Sequence, residues 1–402
     1  MSTSSFEGGR RGFLALELDG DGAHPAAWSK ARHAPDDLLN GARIRNTVLA
    51  AESAGFHAAT FADGPLSEGL GPHGAGIAGR LNALQRAAFA GPVTGSIVLV
   101  PEVDTVYTEP FHISTQLASL DYVSRGRAGW LVKASTSAEE AAGVGRAVVS
   151  GVGLAQEAAA SVEVSRRLWD SWEDDAVIRD VPTGRYLDVD KLHYIDFETP
   201  ADFAGQRYAV KGPSIIPRPL QGQIPVLAPA ALLADDLLAG DFLAGAGAPA
   251  EVDVVLVSAP TLELLADEVA GIRGRTGAAV VAELDVVLDS RGQSASARLT
   301  ELDVLGEWDS PRARFVGTSA ELADVLTDLL AVADGVRIHP AVLDVELEEL
   351  GQLVLPELRR RGVLKPVSPG GTFRELLGLG RPLSRYSNSG TVGGSAVVGA
   401  EI

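Results

Sequence analysis

The sequence predicts an α/β fold in which a parallel sheet closes on itself. Three observations point there. Short apolar runs alternate with helix-period patterns, there are eight such runs, and several end in a charged residue followed at once by a loop. Parallel strands need a helical crossover to return the chain, and eight of them is the number that closes a (β/α)8 barrel.

Taken in order, the runs predict strands over 13–18, 56–62, 95–100, 128–133, 225–229, 252–257, 279–284 and 335–339. Between them, 40–54 reads as an amphipathic helix with Ile44, Val48, Leu49 and Ala51 apolar, followed by helices over 77–91 and 109–124. The helix over 319–333 opens with Ser319 and has Glu321 two residues on, close to a capping arrangement. Residues 166–222 interrupt the rhythm with a Trp- and Asp-rich connection, and DFAGQRYAVKGP within them reads as a β-hairpin insertion. Residues 341–386 read as a helix, VELEELGQLVLPELRRRG, and an extended arm. The reading is one domain over 12–386, with the insertion at 166–222 and flexible ends at 1–11 and 387–402.

Composition narrows the function. Cysteine is absent from the 402 residues, which removes disulfides, zinc ribbons and thiol catalysis and suits a reducing compartment. The formal charge of −19 repels phosphate backbones and anionic lipid, so neither nucleic acid nor a membrane surface is expected as a partner. No apolar run reaches the roughly 20 residues of a membrane helix, and the start has no signal-peptide core, so the cytoplasm is expected.

Common chemical motifs fail on context. Gly74-Ala-Gly76-Ile-Ala-Gly79 has dinucleotide-fingerprint spacing, but the preceding strand ends near Asp63, too early for that turn. None of the seven His residues forms a metal-spaced pair, and neither a GxSxG elbow nor a phosphate-binding P-loop is present. In a (β/α)8 barrel the chemistry sits at the C-terminal ends of the strands. Those places hold Asp19, Asp63, Glu102, Asp104, Leu131, Lys133, Pro229 to Leu232 and His339. A strand-end acid taken alone is more often the cap of the next helix; several polar groups converging suggest a pocket.

Four long segments carry a resemblance: LDGDGAHPAAW (18–28), YTEPFHISTQLASLDYVSRGRAGW (107–130), LWDSWEDDAVIRD with GRYLDVDKLHYIDF (168–197), and VKGPSIIPRPLQGQIPV (210–226). GTSAELADVL (317–326), LVLPELRRRG (353–362) and FRELLGLGRPLSRY (373–386) continue it. Together they resemble the bacterial luciferase-like, flavin-dependent monooxygenases, in the branch that oxidises nitrilotriacetate and dibenzothiophene sulfone. The resemblance implies a (β/α)8 TIM barrel with insertions, often dimeric. It also implies reduced FMN delivered by a separate flavin reductase, and a small organic substrate oxidised by the oxygen adduct of that flavin.

Carried over by position, the flavin contacts implied are Asp63, Glu102, Leu131, Lys133, Ala230 and Ala231. Several depart from the family pattern. Leu131 stands where the family has Asn, and Gly151 and Ala155 stand where a His and a Tyr contact FMN. Pro229-Ala230-Ala231-Leu232-Leu233 replaces the family's Gln-Ala-Gly-Ser-Ser run, whose backbone and hydroxyls hold the flavin phosphate. The segment before Gly317 is also shortened. The implied activity is thus a flavin-dependent monooxygenase with an eroded phosphate site. The alternatives are a non-catalytic relative acting as partner subunit or small-molecule binder, or a user of deazaflavin. Because strand side chains alternate, Leu131 and Lys133 are expected to share a face; the resemblance implies that this face points into the barrel, since the family's Asn at the first position does, with Lys133 paired to Glu102 or Asp104.

Overall fold

The computed structural model describes residues 11–64, 79–233 and 252–387. Eight parallel strands run in chain order around the sheet: β1 (Phe13–Glu17), β2 (Ala58–Phe61), β3 (Val98–Asp104), β4 (Trp130–Lys133), β5 (Val226–Pro229), β6 (Val254–Val257), β7 (Ala279–Leu288) and β8 (Gly335–Pro340). β8 pairs back onto β1 through Phe13↔Gly335 and Leu16↔Ile338, which closes the barrel. The expected strands are all present, with ends displaced by a few residues; β3 and β7 run farther toward the mouth than the apolar runs alone suggest.

Three features of this framework departed from expectation. Ala313–Gly317 forms a ninth strand, paired with Leu284–Leu288 in the upper half of β7 on the edge whose lower half, Ala279–Ala282, is taken by β6. The insertion holds two antiparallel ribbons, Val177–Asp180 with Arg185–Leu187 and Phe197–Glu198 with Ala209–Val210, rather than one hairpin. Val152–Asp170 is a 19-residue helix that runs into the start of the 166–222 stretch. Its Ala, Glu, Gln and Arg residues favour a helix, and Ala158 to Val164 are buried against the fold. The helix over Ser319–Val332 is capped one residue earlier than expected: Thr318 accepts from the Glu321 amide, and the Glu321 carboxylate accepts from the Thr318 amide. The first ten residues, the 65–78 segment with most of the glycine motif, and 388–402 lie outside the described residues.

Period-two alternation divides each strand between two cores. Leu14, Leu16, Leu99, Trp130 and Val132 face the surrounding helices. Phe13, Ala15, Ala58, Val98, Val100, Leu131, Leu227, Val254, Leu256 and Val281 pack together in the barrel interior, where Phe373 of the C-terminal arm joins them. Two glycines make this lower layer possible. A Cβ on Gly129 would stand 2.7 Å from the Phe373 ring, and one on Gly335 would stand 2.9 Å from the Phe13 ring. Above this dry layer the inward positions change character, and the next residues on the same faces are Glu17, Thr60, Glu102, Lys133, Glu283 and Arg337.

Candidate active site

A cavity of about 620 Å³ opens at the C-terminal ends of the strands, above the charged layer. Asp63, Glu102, Leu131, Lys133 and Pro229 all line it, together with Asp19, Arg80, Arg86, Glu283, Arg312, Arg337 and His339. Ala230 and Ala231 are not among its lining residues; they form a short 3-10 turn beyond β5. Gly151 is an exposed helix N-cap, and neither it nor Ala155 lines the cavity.

The floor is a network of buried charges. Arg337 is 5% exposed and donates to Glu17, to Glu283 Oε1 at 2.8 Å and to Thr60 Oγ1 at 2.9 Å. Glu17 also accepts from the Thr60 hydroxyl at 2.7 Å and the Ala62 amide at 2.9 Å. Ser258 donates to Glu283 at 2.6 Å, and His339 Nε2 lies 3.2 Å from the same carboxylate. Burial pushes the Glu17 carboxyl up, but the Arg337 charge and the hydrogen bonds overcome it and hold Glu17 at about 2. Burial pulls His339 below its ordinary value, so a neutral ring faces the floor at neutral pH.

Lys133 does point into the mouth beside Leu131, as alternation requires. Its closest partner is the Asp63 carbonyl at 2.7 Å, with Glu102 and Glu140 each at 3.8 Å. Asp104 is not its partner. That carboxylate instead accepts from the Tyr107 and Ser135 amides, both at 2.7 Å, because the chain turns back over the end of β3. Glu102 accepts from the Asp63 amide at 3.3 Å, and burial, only partly offset by Lys133, pushes its carboxyl up to about 7.

Asp63 takes the structural option open to a strand-end acid. Its carboxylate accepts from Asn82 Nδ2 at 2.7 Å and the Ala83 amide at 3.1 Å, tying β2 to the start of the helix over Ala83–Ala90. On the β1 side, Asp19 lies 3.1 Å from both Arg80 and Arg86. Across the mouth, Asp285 is fully buried and accepts from Arg312 Nε at 2.6 Å.

Sequence reasoning missed Glu17, Glu283, Asp285, Arg312 and Arg337. A signal existed for most of them: AELD in β7 and VRIH in β8 place charges at alternate positions of strands otherwise apolar, and those positions face inward. That Arg312 reaches the same space depends on the loop before the ninth strand, which carries no such period.

The chain belongs to the luciferase-like monooxygenase family. The family model for luciferase-like monooxygenases matches residues 25–234, just over half the chain. The chain is 28% identical to N-acetyl-S-(2-succino)cysteine monooxygenase of Bacillus subtilis, covering 93% of this chain and 98% of that one. It is also 28% identical to nitrilotriacetate monooxygenase component A of Aminobacter aminovorans, over 72% of this chain and 77% of the relative. Among solved structures, a riboflavin lyase with modified FMN and riboflavin superposes with a TM-score of 0.76 at 21% identity, covering 94% of this chain and 98% of that one. At that identity the likeness concerns the fold.

Members of this family are flavin-dependent, so the donor set can be tested against FMN. A phosphate needs amide, hydroxyl or cationic donors at close approach. Pro229 has no amide hydrogen, and Ala230, Ala231, Leu232 and Leu233 bring neither hydroxyl nor charge. Leu131, 1% exposed, belongs to the apolar layer beneath the cavity it helps to line and offers it no donor. The end of β5 offers a phosphate backbone amides from Ala230 onward but no side-chain donor.

Proposed function

We propose that the chain is the oxygenase component of a two-component, flavin-dependent monooxygenase that holds its flavin loosely. On this reading it works in the cytoplasm as a homodimer, takes reduced FMN from a separate flavin reductase, and oxidises a small organic substrate. The observation that carries the reading is the cavity of about 620 Å³ at the C-terminal mouth of the barrel, in a chain that aligns over nearly its full length with a named monooxygenase. When bound, reduced flavin supplies the electrons that activate oxygen. The protein's part is to provide a mouth walled by fixed charges and closed below by the apolar layer around Phe373, which keeps water from entering beneath.

Loose binding follows from the end of β5. Losing two charge-assisted hydrogen bonds to the phosphate, each worth about 1.5–3 kcal/mol, weakens affinity by about a hundredfold or more. Titration of the protein with oxidised and reduced FMN, read by flavin fluorescence, is expected to give dissociation constants above the micromolar range. A submicromolar constant for oxidised FMN would overturn the looseness. Absence of quenching with either form, together with no reductase-dependent oxygen uptake, would overturn the oxygenase reading.

A second reading, a non-catalytic relative serving as small-molecule binder or partner subunit, is favoured by one observation. Glu102 and Lys133, 3.8 Å apart, place two ionisable groups in the mouth at positions the resemblance assigns to flavin contacts. The same titration separates the two.

A further inference from the structure

The charges around the mouth are unevenly distributed. At the floor, two carboxylates, Glu17 and Glu283, face one guanidinium, Arg337. Lys133 stands beside Glu102, and Arg312 is matched by Asp285. On the wall above β1 and β2, two guanidinium groups, Arg80 and Arg86, share the carboxylate of Asp19, each at 3.1 Å, while Asp21 is paired with His33 and the Asp63 carboxylate accepts from Asn82 and the Ala83 amide.

The two arginines of that wall differ in what they have left to give. Arg86 is 7% exposed and committed: it donates to the Leu18 and Ala62 carbonyls as well as to Asp19, although its Nε is buried without a partner among the described residues. Arg80 lines the cavity with its side chain 23% exposed, and Asp19 is its one partner among the described residues. One Nη of Arg80 lies 3.1 Å from Asp19, which fixes the guanidinium beside the cavity it lines. A guanidinium so fixed is suited to an oxyanion, which it can grip through two parallel N–H bonds.

We propose that Arg80, backed by Arg86 and oriented by Asp19, is an oxyanion subsite that receives the phosphate or carboxylate end of the ligand entering the barrel mouth. It rests on the reading that this cavity is the ligand site. It places the anion-binding function at β1 and β2, away from the apolar end of β5. The shared chemistry has two possible sources, the phosphate of FMN or a carboxylate of the substrate.

The experiment compares matched pairs of probes on the full chain: FMN against riboflavin by fluorescence quenching, and succinate against succinamide by calorimetry. Wild type is expected to prefer the charged member of at least one pair by about ten- to a hundredfold, as one charge-assisted grip implies. Arg80→Gln should erase that preference while leaving riboflavin or succinamide binding unchanged, and Arg80→Lys should restore part of it. Asp19→Asn, which releases Arg80 from its counter-charge, should shift anion affinity upward rather than downward. A lost FMN preference identifies the phosphate as the source, and a lost succinate preference identifies a substrate carboxylate. Equal binding within both pairs by wild type, or a preference that survives Arg80→Gln in a variant with unchanged melting, overturns the proposal. FMN and riboflavin quenching equally, with succinate and succinamide also binding equally, would leave the oxygenase reading intact while removing the subsite; absence of quenching by both flavins would remove the flavin reading alone.

Discussion

Replacement of Arg337 by Met tests whether the barrel floor is held by charge. The side chain is 5% exposed, as is fitting for a group matched by Glu17 and Glu283, themselves 7% exposed. Glu17 titrates at about 2 instead of its usual 4.5, and a carboxylate so displaced contributes about 3 kcal/mol at neutral pH. Its pKa is depressed by folding, so this contribution is present above 4.5 and is lost as the pH falls toward 2. Removing Arg337 eliminates that term and leaves two carboxylates facing each other in a dry barrel. We expect Arg337→Met to cost about 3–5 kcal/mol at neutral pH, measured by urea unfolding. The cost should shrink toward about pH 4–5, where the orphaned carboxylates can fold protonated. Adding Glu17→Gln and Glu283→Gln to the same chain should recover most of the loss, because an uncharged floor has nothing left to compensate. A loss below about 1 kcal/mol at neutral pH, or a full loss that the two Gln substitutions do not relieve, would refute the reasoning.

Three further outcomes follow from the same geometry. Glu102 titrates at about 7 against a usual 4.5, so the folded state holds a proton that the unfolded state has released, and stability declines as the pH rises across that window; Glu102→Gln should therefore stabilise by about 2 kcal/mol at about pH 8 and by little at about pH 4, read from unfolding midpoints. Lys133 is 21% exposed and its best contact is a carbonyl rather than a carboxylate, so Lys133→Met should cost only about 1–2 kcal/mol by the same assay. Gly129→Ala would put a methyl 2.7 Å from the Phe373 ring and should lower stability by about 1–3 kcal/mol, with Phe373→Leu in the same chain restoring part of it. Measured equality of the single and double variants would argue against that packing contact.

The eight-strand alternation, the shared face of Leu131 and Lys133, and the helices over Gly41–Ala54, Pro110–Val123 and Ser319–Val332 were legible because each is written in local periodicity. The family was legible for a different reason: long stretches such as YTEPFHISTQLASLDYVSRGRAGW survive nearly intact. Which polar groups meet was not legible. Asp63 and Asp104 stood out as strand-end acids, yet one caps a helix and the other ties down a turn, and nothing in their neighbouring residues distinguishes those roles from a place in the site.

The amino-acid sequence by itself determined which residues of a strand share a face, since alternation along a strand needs no knowledge of its neighbours. Only the tertiary structure decided that Glu17, Glu283 and Arg337 become one network, because they come from β1, β7 and β8, far apart in the chain and adjacent only once β8 pairs with both β1 and β7. The pairing of β1 with β2 set Asp19 against Arg80 and Arg86. Electrostatic partnership depends on distance through space. Local sequence encodes direction, and the register of a closed sheet supplies the distance.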